Sequence, residues 1–245
     1  MIKRIMEVAQ LTFHQQAMRT ANWVLPVVLL AAAIHAIYSG VSDWAAFHGT
    51  IWTATYFIWF PFVIFAGIVD NEVTSGRALY LHCAQVGRRE LILGRYAGGL
   101  MFGVLSSWIP QLPLVIYFFA RRADSRLIVS LSVLLVSFLC ITYICSILLF
   151  FSTFTRSWSN SALLFGIQLV LPPLIHLVSP SLVADTAGWT LRSILYGPLH
   201  ALIITSRGEY PPLKEWAIPA VLTVLFVFAA LAVYRRKEIG AASPA

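Results

Sequence analysis

Long runs of apolar residues, almost without charged side chains, dominate this sequence. Six such segments can be drawn, at about 21–39, 51–69, 91–119, 127–154, 160–179 and 216–234. A run of about 20 apolar residues crosses the roughly 30 Å hydrocarbon core of a bilayer as a helix, and a helix satisfies its own backbone hydrogen bonds there. The sequence therefore predicts an all-α, polytopic membrane protein with six transmembrane helices.

The composition agrees with this class and argues against a soluble domain. Hydrophobic residues make up 59% of the chain and charged residues only 11%, whereas soluble domains average about 45–50% and about 25%. An outer-membrane barrel would show segments of about 10 residues with alternating polarity, but these runs are continuous. We therefore expect residues 21–245 to form a single transmembrane domain.

Residues 1–20 follow a different pattern, because polar and apolar residues recur there with the period of a helix. Charged and polar side chains share one face of that helix. The opposite face carries Ile2, Met6, Ala9, Phe13 and Ala17. Such a helix is typical of the membrane interface. We expect residues 1–20 to form an interfacial amphipathic helix.

The segment between the fifth and sixth predicted spans, residues 180–215, is the longest on the predicted outer side. It contains a moderately apolar stretch at 191–204. This stretch is shorter and more interrupted than a span requires. We expect an outer re-entrant or interfacial hairpin at 180–215.

The distribution of lysine and arginine predicts which side of the membrane each end faces. With the N-terminus inside, 11 of these residues lie on the inner side and 6 on the outer side, which together make the 17 of the chain. Because cytoplasmic loops carry the basic excess, both termini are predicted to be cytoplasmic. Arg121, Arg122 and Arg126 oppose this bias. Either their loop binds something anionic, headgroups included, or one predicted span is wrong.

The sequence carries none of the motifs that would make this chain an enzyme. It has no HExxH zinc pair, no GxSxG serine elbow and no GxxxxGK[ST] phosphate loop, so we expect no cofactor in this chain and ATP hydrolysis only in a partner. The predicted spans have no carboxylate near their centres, which argues against an ion-driven carrier, although an ion site built from backbone carbonyls stays open. Polar residues in the spans, such as Gln168, are more often hydrogen-bond partners between helices than substrate ligands.

Basic residues are concentrated in the connector 70–95, DNEVTSGRALYLHCAQVGRRELILGR, between the second and third predicted spans. This connector is longer than a turn requires, and its interleaved apolar and polar residues predict short helices along the membrane surface. Arg88, Arg89 and Arg95 could instead be headgroup anchors. Anchoring alone does not account for Glu72 or for the helical connector.

The glycines that follow the connector have a spacing that permits close helix contact. The stretch GRYAGGLMFG pairs Gly94 with Gly98 and Gly99 with Gly103 in GxxxG fashion. This spacing leaves two alternatives open, namely association of two chains and packing within one chain.

The connector resembles that of the type-2 ABC transporter permeases, the membrane subunits of exporter-like ATP-binding-cassette systems. Their pattern has an acidic residue, a glycine, two leucines and a Pro-Val-Ser-Arg motif, then Leu-Leu-Gly-Lys/Arg at the head of the third span. The matching residues here are Glu72, Gly76, Leu79, Leu81, Val86, Arg88, Leu93, Gly94 and Arg95, with Gln85 and Gly87 in place of the proline and the serine. FTRS at 154–157 and YRRKEI at 234–239 look like the family's inner loop and basic C-terminal end.

The resemblance implies an exporter permease of a bacterial inner membrane, which works with a separate cytoplasmic ATPase that binds ATP and Mg²⁺ and with a second permease copy or paralogue. The connector would carry a coupling helix that docks on the ATPase, flanked by the N-terminal helix. The implied docking residues are Glu72, Gly76, Arg77, Arg88 and Arg89, with Arg4 and Glu7 on the N-terminal helix. The implied translocation path would be lined by Trp52, Tyr56, Trp59, Phe60 and Gln168, although these aromatic residues could also face lipid or the core.

A second hypothesis is a non-transporting membrane scaffold or assembly subunit that anchors a cytoplasmic partner through the same connector. A nucleic-acid partner is not expected, because topology and headgroup contacts account for the net charge of +7. Nothing in the sequence selects a substrate for the transporter hypothesis.

Overall fold

The computed structural model describes residues 1–40, 44, 47, 86–155, 159, 162–164, 166 and 201–236, and no strand occurs among them. Its helices are α1 (Ile2–Ala17), α2 (Ala21–Ser39), α3 (Arg88–Trp108), α4 (Leu112–Ala120), α5 (Asp124–Ser152) and α6 (Leu213–Arg236). A short 3₁₀ turn, Ile109–Gln111, joins α3 to α4, and residues 201–206 are helical as well.

Four of these helical stretches are long and apolar enough to cross a membrane: Ala21–Ser39, Arg88–Ala120, Asp124–Ser152 and Glu215–Arg235. Their bounds agree within three residues with the first, third, fourth and sixth predicted spans. The prediction of an all-helical membrane protein is thereby confirmed at this level. The predicted span 51–69 and most of 160–179 lie outside the described residues, so six spans and an outer hairpin stay predictions.

Prolines explain why the third stretch is divided. Pro110 and Pro113 are the second residues of the 3₁₀ turn and of α4. Proline has no backbone N–H and its ring clashes with the carbonyl one turn back, so it disrupts the interior of an α-helix. Neighbouring helices compensate such breaks in membrane proteins. The chain therefore continues through the break in helical form up to Ala120.

Helices α1 and α2 lie alongside the α3–α4 stretch and run in the same direction. Trp23, near the start of α2, packs on Phe102 of α3 with ring centroids 5.3 Å apart. Trp44, beyond α2, packs on Phe118 of α4 at 5.1 Å. We call the end of the bundle where α3 begins the Arg88 end, and the end where α4 stops the Arg121 end. Helix α2 stops at the Arg121 end and α3 begins at the Arg88 end, an arrangement compatible with the predicted span between them.

Helix α5 returns from the Arg121 end, and two hydrogen bonds fasten it to α3. The Tyr96 hydroxyl donates to the carbonyl of Thr142 at 3.1 Å, and Trp108 Nε1 donates to Ser137 Oγ at 3.0 Å. Because lipid is as apolar as a leucine side chain, close packing and such interhelical hydrogen bonds hold membrane helices together. The core is centred on α3 and α5, where fully buried side chains include Leu91, Ile92, Phe102, Ile141, Tyr143 and Leu148.

Helix α6 packs on α5 and reaches the Arg88 end. Phe226 of α6 lies between Tyr143 and Phe150 of α5, with ring centroids 6.4 Å and 5.7 Å apart. At its end, the carbonyl of Arg235 accepts a hydrogen bond of 2.7 Å from Arg88 Nη1. The starts of α1 and α3 and the last described turn of α6 therefore lie together at the Arg88 end.

The face that α1 packs against the bundle partly matches the apolar face drawn from the sequence, because Ala9 is buried and Phe13 and Ala17 pack against the core. Val8, Ala9, Thr12 and Gln16 are buried. The predicted apolar residue Ile2 is 75% exposed, as contact with lipid would require. Location of this helix in the membrane interface stays a prediction.

Candidate functional site: a basic cleft at the Arg88 end

An open cleft of about 610 Å³ lies where α1, α3 and α6 meet. We call it the basic cleft, because its charged side chains are four arginines and a single carboxylate. Its lining residues are Met1, Arg4, Gly87, Arg88, Arg89, Glu90 and Arg235. Arginine is the side chain best suited to bind carboxylates and phosphates, since its planar guanidinium donates paired hydrogen bonds.

Glu90 organises the start of α3 from inside this cleft. Its Oε2 accepts a hydrogen bond of 2.8 Å from the backbone N–H of Gly87, which precedes the helix. A carboxylate in the first turn also interacts favourably with the helix dipole. The same oxygen lies 3.9 Å from Arg4 Nη1, and Oε1 lies 3.7 Å from the amino group of Met1. Glu90 therefore links the start of α3 to the start of α1.

The two arginines in the first turn of α3, Arg88 and Arg89, can bind an acidic partner. Among the described residues, no carboxylate lies within 4.0 Å of the guanidinium of Arg88 or Arg89. The hydrogen bond that Arg88 forms with another helix among the described residues goes from its Nη1 to the carbonyl of Arg235, in the last described turn of α6. Arg89 is exposed at the cleft.

The α3–α4 stretch is longer than a crossing of the hydrocarbon core requires. The stretch has 33 residues, which corresponds to about 50 Å of helix. That is about 20 Å more than the hydrocarbon core of a bilayer. The Arg88 end can therefore project beyond the hydrocarbon while Phe118 at the other end remains in or near it.

Two glycines of α3 allow α1 to approach it closely. A Cβ atom added to Gly94 would lie 2.5 Å from the Cβ of Val8 and 2.9 Å from the carbonyl oxygen of Ile5. A Cβ atom on Gly98 would overlap the carbonyl oxygen of Ala9. Of the two alternatives for the GxxxG spacing, the pair Gly94–Gly98 therefore serves packing within one chain.

Arg95 lies in this helix contact and not in the cleft. It is only 2% exposed, and its Nη1 donates to Thr12 Oγ1 at 3.1 Å and to Gln15 Oε1 at 2.6 Å. It is on the same face of α3 as Arg88 but about 10 Å further along the helix. The arginine cluster of the sequence is thus divided into Arg88 and Arg89, which line the cleft, and Arg95, which fastens α1 to α3.

The structure brings together three of the residues that the sequence assigned to docking, namely Arg4, Arg88 and Arg89. Glu7 is exposed on α1 and is not a lining residue of the cleft. The remaining predicted site residues lie outside the described residues: Glu72, Gly76, Arg77, Trp52, Tyr56, Trp59, Phe60 and Gln168.

Sequence reasoning missed Glu90 as a site residue. Its signal was a carboxylate three residues after Gly87, which is the spacing of a helix N-terminus. The place of Arg235 in the cleft has no local signal, because it depends on where α6 stops relative to α3.

The arrangement can bind an acidic surface or an anion through charge-assisted hydrogen bonds. Among the described residues, no three His, Cys, Asp or Glu side chains are grouped so that they could hold a metal ion. No family model matches this chain, and no curated protein is similar enough to it to indicate a relationship.

Proposed function

We propose that this chain is the membrane subunit of an ATP-binding-cassette transporter, an exporter permease whose energy comes from a separate ATPase that docks on the basic cleft. The observation that carries the proposal is the meeting of Arg4, Arg88, Arg89 and Arg235 at one end of the helical bundle. Three separate helices supply these charges. The complementary partner is a cytoplasmic protein with an acidic docking surface.

The packing beneath the cleft suits transmission of movement into the membrane. Helix α1 is held on α3 by the Gly94 and Gly98 contacts and by Arg95. Helix α6 is held at the same end by the bond between Arg88 and the Arg235 carbonyl. A partner that pulls on the cleft would therefore move three helices together. Rigid-body movement of this kind is a common basis of switching between states.

The exposed faces of α2 and α6 leave room for a second permease subunit. In the most apolar part of each helix, 22% of the residues are buried in α2 and 11% in α6. Both helices therefore have faces that a second copy of the chain could cover. In the proposed transporter, two permeases and two ATPases assemble, and the substrate path runs between the permeases.

The orientation in this proposal places the Arg88 end in the cytoplasm and the Arg121 end outside, in a bacterial inner membrane. The positive-inside bias of the whole sequence supports this orientation. The second candidate function, a non-transporting scaffold, would use the same cleft for a partner without ATPase activity.

Purification of the full chain from its native membranes in mild detergent tests the proposal. We expect an ATP-binding-cassette ATPase to copurify in about equal amount and to dissociate as salt is raised, because docking on exposed arginines is screened by ions. Mass spectrometry identifies the partner, and the ratio of the two chains gives the stoichiometry. A stable partner that lacks an ATP-binding cassette would favour the scaffold and contradict the transporter.

A further inference from the structure

A second cavity, of about 500 Å³, lies at the Arg121 end, where the first turns of α5 meet the turn that follows residues 201–206. The length of the bundle separates this cavity from the basic cleft. Its walls include Trp44, Phe118, Arg126, Ser130, Ser206 and Arg207. Polar and apolar side chains therefore both face this space.

Ser130 is the least exposed polar residue that lines this cavity. The residue is 3% exposed, and its Oγ forms no hydrogen bond with any residue that the structure describes. A buried hydroxyl without a partner is unfavourable, so such groups usually mark a place for water or a ligand. Ser130 also lies one helical turn after Arg126, and residues spaced by four share one face of a helix.

Two guanidinium groups supply positive charge to the same space. Arg126 comes from α5 and Arg207 from the turn after residues 201–206. Among the described residues, no carboxylate lies within 4.0 Å of either side chain. Asp124 and Glu209, the nearby acidic residues in the chain, are exposed and pair with neither arginine. The cavity thus combines two available cations with an available hydroxyl.

A second part of the cavity wall is aromatic. Trp44 and Phe118 pack edge to face with ring centroids 5.1 Å apart, and Trp44 also lies 6.3 Å from the ring of Tyr117. A small hydrated anion would make no favourable contact with these aromatic side chains. A ligand with an anionic head and an apolar body would contact both parts of the wall, and the ends of membrane helices are where such molecules are abundant.

We propose that this cavity binds an anionic phospholipid, with the phosphate held by Arg126 and Arg207, the Ser130 hydroxyl donating to a phosphate oxygen, and the upper acyl chain against Trp44 and Phe118. Of the three arginines that oppose the predicted orientation, Arg121, Arg122 and Arg126, this proposal assigns a role to Arg126. Arg121 and Arg122 are not lining residues. The site is independent of the proposed ATPase docking, because it lies at the other end of the bundle.

Native mass spectrometry of the full chain tests this site, with phosphatidylglycerol or zwitterionic phosphatidylcholine added to the detergent-purified protein. We expect one phosphatidylglycerol to remain bound under conditions that remove phosphatidylcholine. Arg126→Gln with Arg207→Gln should lower its retention about 10-fold or more, and Ser130→Ala should lower it about 3-fold, since charge-assisted contacts are the stronger ones. The matched control, Arg121→Gln with Arg122→Gln, removes the same charge at the same end and should change retention less than about 2-fold.

Three results would overturn the proposal. Equal loss of lipid in the control pair would mean that retention follows overall charge and not this cavity. Equal retention of phosphatidylcholine would remove the role of the anionic head. Displacement of phosphatidylglycerol by millimolar inorganic phosphate would assign the site to a free anion.

Discussion

Gly98→Ala is expected to destabilise the protein and to release α1 from α3, although alanine is the better helix former. The new Cβ atom would overlap the carbonyl oxygen of Ala9 and lie 2.6 Å from the Cβ of Thr12. A backbone oxygen cannot rotate away, so the two helices must separate. Overpacking of this kind costs about 1–3 kcal/mol, and the gain in helix propensity returns only about 1 kcal/mol. Because the clash is with a backbone oxygen, we expect the upper part of this range, about 2–3 kcal/mol, and therefore a net loss of about 1–2 kcal/mol in the free energy of unfolding.

Separation of the helices should also be visible locally. Arg95 bonds to Thr12 and Gln15 across the same contact, so these hydrogen bonds should weaken together with the packing. Hydrogen exchange of the backbone amides in residues 2–17 should therefore become faster, while exchange in α5 should change little. Chemical or thermal unfolding in detergent measures the global effect.

Gly166→Ala provides the matched control for this change. A Cβ atom at Gly166 meets no atom of the described residues within 4 Å. The same substitution there should be neutral or stabilise the protein by up to about 1 kcal/mol. If Gly98→Ala proved as benign as Gly166→Ala, the close contact between α1 and α3 would be wrong.

Reversal of charge in the basic cleft is expected to have the largest functional effect. Arg88→Glu with Arg89→Glu replaces two positive charges by two negative ones on the surface proposed for ATPase docking. Truncation of one partner of a close interfacial charge pair typically costs about 2–5 kcal/mol. We therefore expect the affinity for the ATPase to fall about 100-fold or more. Titration of the purified subunits against each other, at low and at physiological salt, measures this change.

The control for charge reversal lies at the opposite end of the same helical stretch. Arg121→Glu with Arg122→Glu makes an equal change in net charge at two adjacent, exposed arginines. This pair should leave the affinity within about 2-fold of the wild type. Equal weakening by both pairs would indicate a long-range effect of net charge, and no weakening by either would place docking elsewhere on the chain. Circular dichroism checks that the loss of the Arg88 contact to the Arg235 carbonyl does not unfold α6.

Hydropathy alone was sufficient to place the four membrane-type helical stretches that the structure describes. The lengths of the apolar runs gave the four membrane-type helices within three residues of their bounds, because a helix must extend across the whole hydrocarbon core whatever its neighbours are. Span length is a local property, and it can be read from local sequence. Proline was less decisive, because the helix breaks at Pro110 and Pro113, whereas Pro26 and Pro219 lie inside α2 and α6 without dividing them.

The contacts of the site could not be predicted in the same way. The spacing of Gly94 and Gly98 indicated a close helix contact but not its partner, which is α1, more than 80 residues earlier in the chain. Arg95 appeared to belong with Arg88 and Arg89 because the three are neighbours in sequence. Only the position of Thr12 and Gln15 beside α3 shows that Arg95 has a packing role.

The face of α1 shows how a neighbour can override a local pattern. Its buried side includes the polar residues Thr12 and Gln16. Burial of Gln16 is compensated by hydrogen bonds, because Asn22 Nδ2 donates to its Oε1 at 2.7 Å and to its backbone carbonyl at 2.8 Å. A search for a continuous apolar stripe cannot recognise a face that is satisfied by hydrogen bonds across a helix junction.

ATP turnover by the chain reconstituted in nanodiscs with its copurifying partner tests the central claim most directly. We expect the complex to hydrolyse ATP at a rate that depends on the permease. Arg88→Glu with Arg89→Glu should reduce turnover to that of the ATPase alone, while Arg121→Glu with Arg122→Glu should leave it unchanged. A bound partner that hydrolyses no ATP, or turnover that is indifferent to the charge of the basic cleft, would contradict the account of this chain as an ATP-driven permease.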